Sequence, residues 1–158
     1  VLYYAETYLN MHKNVVPHKI FLNEENLEML SDLDFVFLAI DRNSSRKIIT
    51  EYLRTKNIAF IDVGLGADLV DDKITSMIRG SSFPKEYKGD LRDVLPFDET
   101  EENIYNSNIQ IAELNAFNAV LAVIKWKKML GFYQDLIGEN HSVYCLNSNQ
   151  LTDECVEA

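Results

Sequence analysis

The feature that most constrains this chain is an apolar run that ends on an acid and leads directly into a helix start: Asp34-Phe35-Val36-Phe37-Leu38-Ala39-Ile40-Asp41-Arg42-Asn43-Ser44-Ser45-Arg46. A short continuous apolar run of this kind fits a buried strand of a parallel sheet. Open α/β sheets place their ligands at the carboxyl ends of such strands. Asp41 stands at that end, where a carboxylate can meet a nucleotide or its metal ion. Any buried strand shares the apolar run; the acid, the polar turn and Arg46 sharpen the reading.

The surrounding pattern supports an α/β chain. Leu2, Ala5 and Leu9 space a short helix over Val1 to Asn10, Pro17 breaks it, and His18 to Leu22 reads as a strand. Asn23 to Leu30 is a helical turn or short helix ending before Asp32, and Phe35 to Ile40 is the next strand. Asn43 or Ser44 suits a cap for a helix in which Ile48, Ile49, Tyr52 and Leu53 repeat at helical spacing. Ile58 to Val63 then reads as a second buried strand closed by Gly64-Leu65-Gly66, so the unit is βαβ with parallel strands. Lys73 to Arg79 is a further strand after a turn rich in aspartate.

Periodicity fades from Gly80 to Asn108, and the acidic run Asp98 to Glu102 reads as a solvated face. Ile109 to Phe132 is the longest helical segment. From Ala116 to Ile124 it is apolar on nearly every side apart from Asn118, which predicts burial in a core or against a second subunit. Gly131 supplies a stop, Ser142 to Leu146 has strand character, and Leu151 returns as a short strand before an acidic tail at 152–158.

With 158 residues the chain is one domain, long enough to bury roughly two-thirds of its unfolded surface without disulfides or metals. No apolar run reaches the roughly 18 residues that suggest a membrane span. Cys145 and Cys155 form no metal-binding or disulfide pattern, which fits a reducing cytoplasm. The formal charge of -10 argues against nucleic acid as a partner, because phosphate-backbone binding needs clustered cations. His12, His18 and His141 have no metal-ligand spacing and read as surface or packing residues. Asp62, an acid inside an apolar strand, must either face a ligand crevice or find a hydrogen-bond partner. The chain begins inside a helix with no capping residue, so a fragment of a longer protein is expected.

Three stretches carry a family resemblance: Asp34 to Ile40 with Asp41 and Arg46; Ile58-Ala59-Phe60-Ile61-Asp62-Val63-Gly64; and Asn108-Ile109-Gln110-Ile111-Ala112-Glu113-Leu114-Asn115-Ala116 entering the long helix. Through them residues 1–151 resemble the later two-thirds of the ThiF/MoeB/HesA adenylyltransferases, the ubiquitin-activating-enzyme-like fold. The resemblance implies a Rossmann-like three-layer α/β sheet, parallel strands followed by mixed or antiparallel ones, incomplete at its N-terminus. It implies ATP and Mg²⁺ as cofactors, and attack on the α-phosphate by the C-terminal carboxylate of a small ubiquitin-like or sulfur-carrier protein. The products are an acyl-adenylate and pyrophosphate. It assigns Asp41 to Mg²⁺ and nucleotide, and matches Arg46 to the arginine of a D-N-x-x-x-R pattern with a catalytic role. It also implies a homodimer, for which Trp126, Phe132 and Tyr133 are suitable anchors.

Two departures qualify the match. The residue after Asp41 is usually asparagine and here is Arg42, an arginine able to contact phosphate. The family's glycine-rich turn, ribose-binding acid and phosphate-gripping arginine and lysine have no counterpart in these residues, so a polypeptide limited to them is expected to be catalytically inactive. Gly64-Leu65-Gly66 reads as backbone geometry rather than a phosphate loop. No cysteine falls between Gly80 and Asn108, where some relatives carry an acyl-accepting thiol; Cys145 reads as a small buried hydrophobe and Cys155 lies in the tail. Two other function classes share this architecture: a nicotinamide-dinucleotide oxidoreductase fragment, and a non-catalytic dimeric binding module.

Overall fold

Strand β1 (Phe35–Leu38), helix α2 (Asn43–Thr55) and strand β2 (Ala59–Val70) form the expected βαβ unit in the computed structural model, which describes residues 1–12, 14–85, 87–97 and 111–154. The two strands are parallel, with Phe35 opposite Ala59 and Leu38 opposite Asp62. The remaining pairings are antiparallel. Strand β3 (Lys73–Phe83) folds back along β2, β4 (His141–Cys145) pairs with β3, and β5 (Gln150–Glu154) pairs with β4, giving a five-stranded mixed sheet in the order β1-β2-β3-β4-β5. The molecule is thus an α/β fold. With helix α1 (Leu2–Leu9) and the long helix α3 (Ala112–Met129), three α-helices lie among the described residues.

Strand alternation sends β2 and β3 side chains to two faces. On one face Phe60 stacks on Phe83 with ring centroids 4.6 Å apart, and Ile49 and Leu53 of α2 close over them with Leu27, Leu30, Leu38, Tyr87, Leu91 and Leu95. Buried α2 residues recur at Arg46, Ile49, Thr50 and Leu53, the i, i+3, i+4, i+7 stripe of a helix packed on one side. Leu53 and Phe60 are almost wholly buried, each contributing about 1.5–3 kcal/mol of transfer free energy. On the opposite face α3 lays Trp126 against Phe35 and Phe37, at 6.1 and 5.9 Å, and Phe117 against Tyr144 at 5.0 Å.

Several elements differ from the sequence expectations. His18 to Leu22 forms no strand: no described strand lies beside it to complete a ladder, and Ile20 and Phe21 are exposed. Gly64-Leu65-Gly66 does not close β2 but lies inside it, paired with Arg79, Ile78 and Met77, because the long β3 ladder supplies partners on both sides of the glycines. The cap position of α2 is Arg42, with no side-chain cap bond; neither Asn43 nor Ser44 holds it. Helix α3 buries one stripe, Leu114, Asn118, Ala122 and Lys125, and leaves Phe117, Val120, Val123 and Ile124 exposed. Its all-round apolar character is therefore not matched by all-round burial in a single chain.

Hairpin β2–β3 turns on Asp71 and Asp72, both at positive φ (50° and 59°), with Val70 opposite Lys73. That is the two-residue geometry whose twist suits a hairpin. Beyond the stretch that β4 covers, the tip from Asp68 to Ile74 is exposed. The acidic run 98–102, the start of the long helical segment before Ile111, and Cys155 lie outside the described residues.

Candidate functional site

Asp62 resolves the oddity of an acid in an apolar strand. It is 0% exposed and takes two guanidinium groups: Arg46 Nε donates to Oδ1 at 3.0 Å, and Arg79 Nη2 donates to Oδ2 at 2.5 Å. The geometry follows from three elements meeting. Asp62 points to the α2 face of β2, Arg46 sits one turn into α2 above it, and Arg79 lies on β3 on the same sheet face as Asp62. A carboxylate this deep requires such pairing, since an unpaired buried charge is far more costly.

Arg46 is 4% exposed and fully occupied. Besides Asp62, its Nη1 donates to Asn43 Oδ1 and its Nη2 to the carbonyl of Ile40. It therefore ties the turn between β1 and α2 down onto β2. The resemblance gives Arg46 a catalytic role; in the structure its guanidinium is buried and committed to Asp62, Asn43 and Ile40. Arg79 extends the network: Nη1 donates to Ser81 Oγ at 2.8 Å, and Ser81 Oγ lies 2.8 Å from His141 Nδ1 on β4. Gly64 leaves room for this arrangement, since a Cβ there would sit 3.0 Å from Arg79 Nη2.

Asp41 and Arg42 occupy the turn that Arg46 anchors. Both are exposed, and neither side chain is engaged in a hydrogen bond or ion pair with a described residue. Asp41 follows the last residue of β1 by three positions, at its carboxyl end as expected. Two cavities, of about 20 and 70 Å³, lie elsewhere, and neither is lined by Asp41, Arg42 or Arg46. Among the described residues no three His, Cys, Asp or Glu side chains converge on a metal position. One free carboxylate still fits a Mg²⁺ ion carried by a nucleotide, because such ions take one or two protein carboxylates and complete their shell with phosphate oxygens and water. Arg42 is free to meet phosphate; Arg46 is not.

From the far face Asn118 of α3 donates its Nδ2 to the carbonyl of Gly64 at 2.9 Å, while its buried Oδ1 has no partner among the described residues. Sequence reading singled out Asn118 only as an interruption of an apolar helix. It also missed Arg79, Ser81 and His141 as partners of the Asp62 network. The available signal was Asp62 itself, which demands a partner, but the β2–β3 register that supplies Arg79 is a property of the folded sheet.

Among the described residues no helix is long and apolar enough to cross a membrane. No family model matches this chain, and no curated protein matches it. Among solved structures, the crystal structure of PaaA in its selenomethionine form is similar over 84% of this chain, with a TM-score of 0.50 and 16% identity. The aligned region spans 38% of the PaaA chain. A likeness at this identity is one of fold, and it fits the α/β architecture described above.

Proposed function

We propose that this chain is the later part of a Rossmann-like, ThiF-type adenylation domain. In this reading the full-length enzyme uses ATP and Mg²⁺ to adenylylate the C-terminal carboxylate of a small ubiquitin-like or sulfur-carrier protein, working as a cytoplasmic homodimer. The observation that carries the proposal is the contrast at the end of β1. Asp41 is exposed and uncommitted, on a turn held in place from beneath by the buried Arg46–Asp62 pair. Spending a buried ion pair to fix a surface turn makes sense where an exposed carboxylate must be held in one position.

Bound Mg²⁺ would neutralise phosphate charge at the reacting centre. Asp41 orients the metal-bound nucleotide, Arg42 is available to the phosphates, and Arg46, Asp62 and Arg79 keep the turn rigid without touching substrate. The exposed apolar residues of α3 support the dimer, since a single chain leaves Val120 at 55% and Val123 at 43% exposed.

The test is carrier-dependent exchange of labelled pyrophosphate into ATP by the full-length protein. Exchange is expected for the parent, and Asp41→Asn is expected to lower it by roughly 10²–10³-fold, the scale for losing one preorganised electrostatic contact. Absence of exchange in the parent with its cognate carrier, while nicotinamide nucleotide binds instead, would replace this reading with the oxidoreductase one.

A further inference from the structure

Lys125 is out of place on the sheet face that α3 covers. It is 5% exposed, and its stem runs over Gly80, where a Cβ would come within 3.7 Å of Lys125 Cε. Nζ donates to the backbone carbonyl of Glu139 at 3.3 Å. The nearby carboxylates are taken by the next lysine along the helix: Lys128 pairs with Glu139 and reaches Asp135 Oδ1 at 4.0 Å. No described carboxylate lies within ion-pair distance of Lys125 Nζ. A methionine would fill the same path over Gly80 without burying an ammonium, so packing alone does not account for a lysine here.

Lys125 helps line a cavity of about 70 Å³, together with Ser82, Lys128, Asp135, Glu139 and Asn140 among others. It holds a few water-sized groups, at roughly 10–15 Å³ for each. Its rim includes the exposed Asp135 and Gly138, so it opens to solvent. Burial, the largest influence, pushes the Lys125 ammonium below its ordinary range, and the positive charge of Lys128 adds to this; Glu139, Asp153 and Asp135 pull the other way. The groups around the amine are thus Lys128 on its own helix, Ser82 on β3, Asp135 and Glu139 on the following loop, and Asp153 on β5.

We propose that Lys125 is a reactive amine that condenses with small neutral aldehydes entering this cavity. The cavity admits only a few heavy atoms, and the Asp135 and Glu139 carboxylates disfavour an anion, which leaves a neutral carbonyl as the matching class. The neutral nitrogen adds to the carbonyl carbon, forming a C–N bond while the carbonyl oxygen takes up the proton that nitrogen gives up. The resulting carbinolamine loses that oxygen as water, and an imine remains. One amine and one aldehyde become one imine and one water, with no electron donor or acceptor needed. The neutral amine is the form this chemistry requires, and burial shifts Lys125 toward it.

The site is independent of the nucleotide reading and is tested without ATP. The intact protein is treated at neutral pH with acetaldehyde and cyanoborohydride, which reduces any imine to a stable N-ethyl group, and the modified lysines are mapped and timed by peptide mass spectrometry. Lys125 is expected to be labelled severalfold faster than the exposed Lys19, Lys47 and Lys73. The preference is expected to vanish in denaturing urea. Labelling of Lys125 no faster than of those surface lysines, or a preference that survives unfolding, overturns the proposal. Because the readout is on the unsubstituted protein, no variant needs to fold.

Discussion

Asp62 is fully buried and holds two arginines that are not equivalent. The side chain of Arg46 is 5% exposed and that of Arg79 is 16% exposed. Asp62→Ala strands both guanidinium groups, so it is expected to cost about 3–5 kcal/mol, the scale for breaking a buried ion pair from one side. Arg79→Leu is expected to cost less, because Asp62 keeps Arg46 and the lost cation was partly solvated. Urea denaturation of the two variants against the parent measures the difference; equal small losses would mean the pair adds little. At this scale the sequence was informative about need but not about supply. An acid inside Ile58 to Val63 had either to face a ligand crevice or to find a hydrogen-bond partner, and Arg46 was visible shortly after Asp41. That Arg46 turns inward, and that Arg79 completes the pair, depends on α2 packing and on the register of β3, which local residue patterns do not encode.

Among elements, the strands from Phe35 onward and the two longer helices were legible because apolar runs and helical spacing persist over enough residues. The errors share a cause, since neighbours decide what a local pattern becomes. His18 to Leu22 alternates like a strand but has no described partner, and the glycine pair at 64 and 66 reads as a turn yet is held in a ladder by Arg79 and Met77. The aspartate-rich turn was recognised, and its conformation makes a prediction. Asp72 adopts φ 59°, a left-handed backbone that costs a non-glycine residue about 1–2 kcal/mol. Asp72→Gly is therefore expected to raise stability by about 1 kcal/mol, part of the gain being returned to the freer unfolded chain. The urea midpoint measures it, and an unchanged or lowered midpoint would mean the aspartate makes compensating contacts.

For the whole molecule, α3 is the decisive surface. Sequence reading left two ways to bury an apolar helix, inside one domain or against a second copy. The structure buries one stripe and leaves Val120, Val123 and Ile124 facing outward. If the proposed homodimer forms through this face, Val120→Glu combined with Val123→Glu is expected to convert it to a monomer that retains the parent's far-UV spectrum. Sedimentation equilibrium across a concentration series decides this, and a parent that stays monomeric at every concentration removes the dimer from the reading. The β2–β3 hairpin is simpler. The β2–β3 tip from Asp68 to Ile74 contributes nothing to the core and extends past the strand that flanks its base. Foreign sequence spliced between Asp71 and Asp72 would hang from two already paired strands, so this tip is a natural attachment point for a reporter or affinity label.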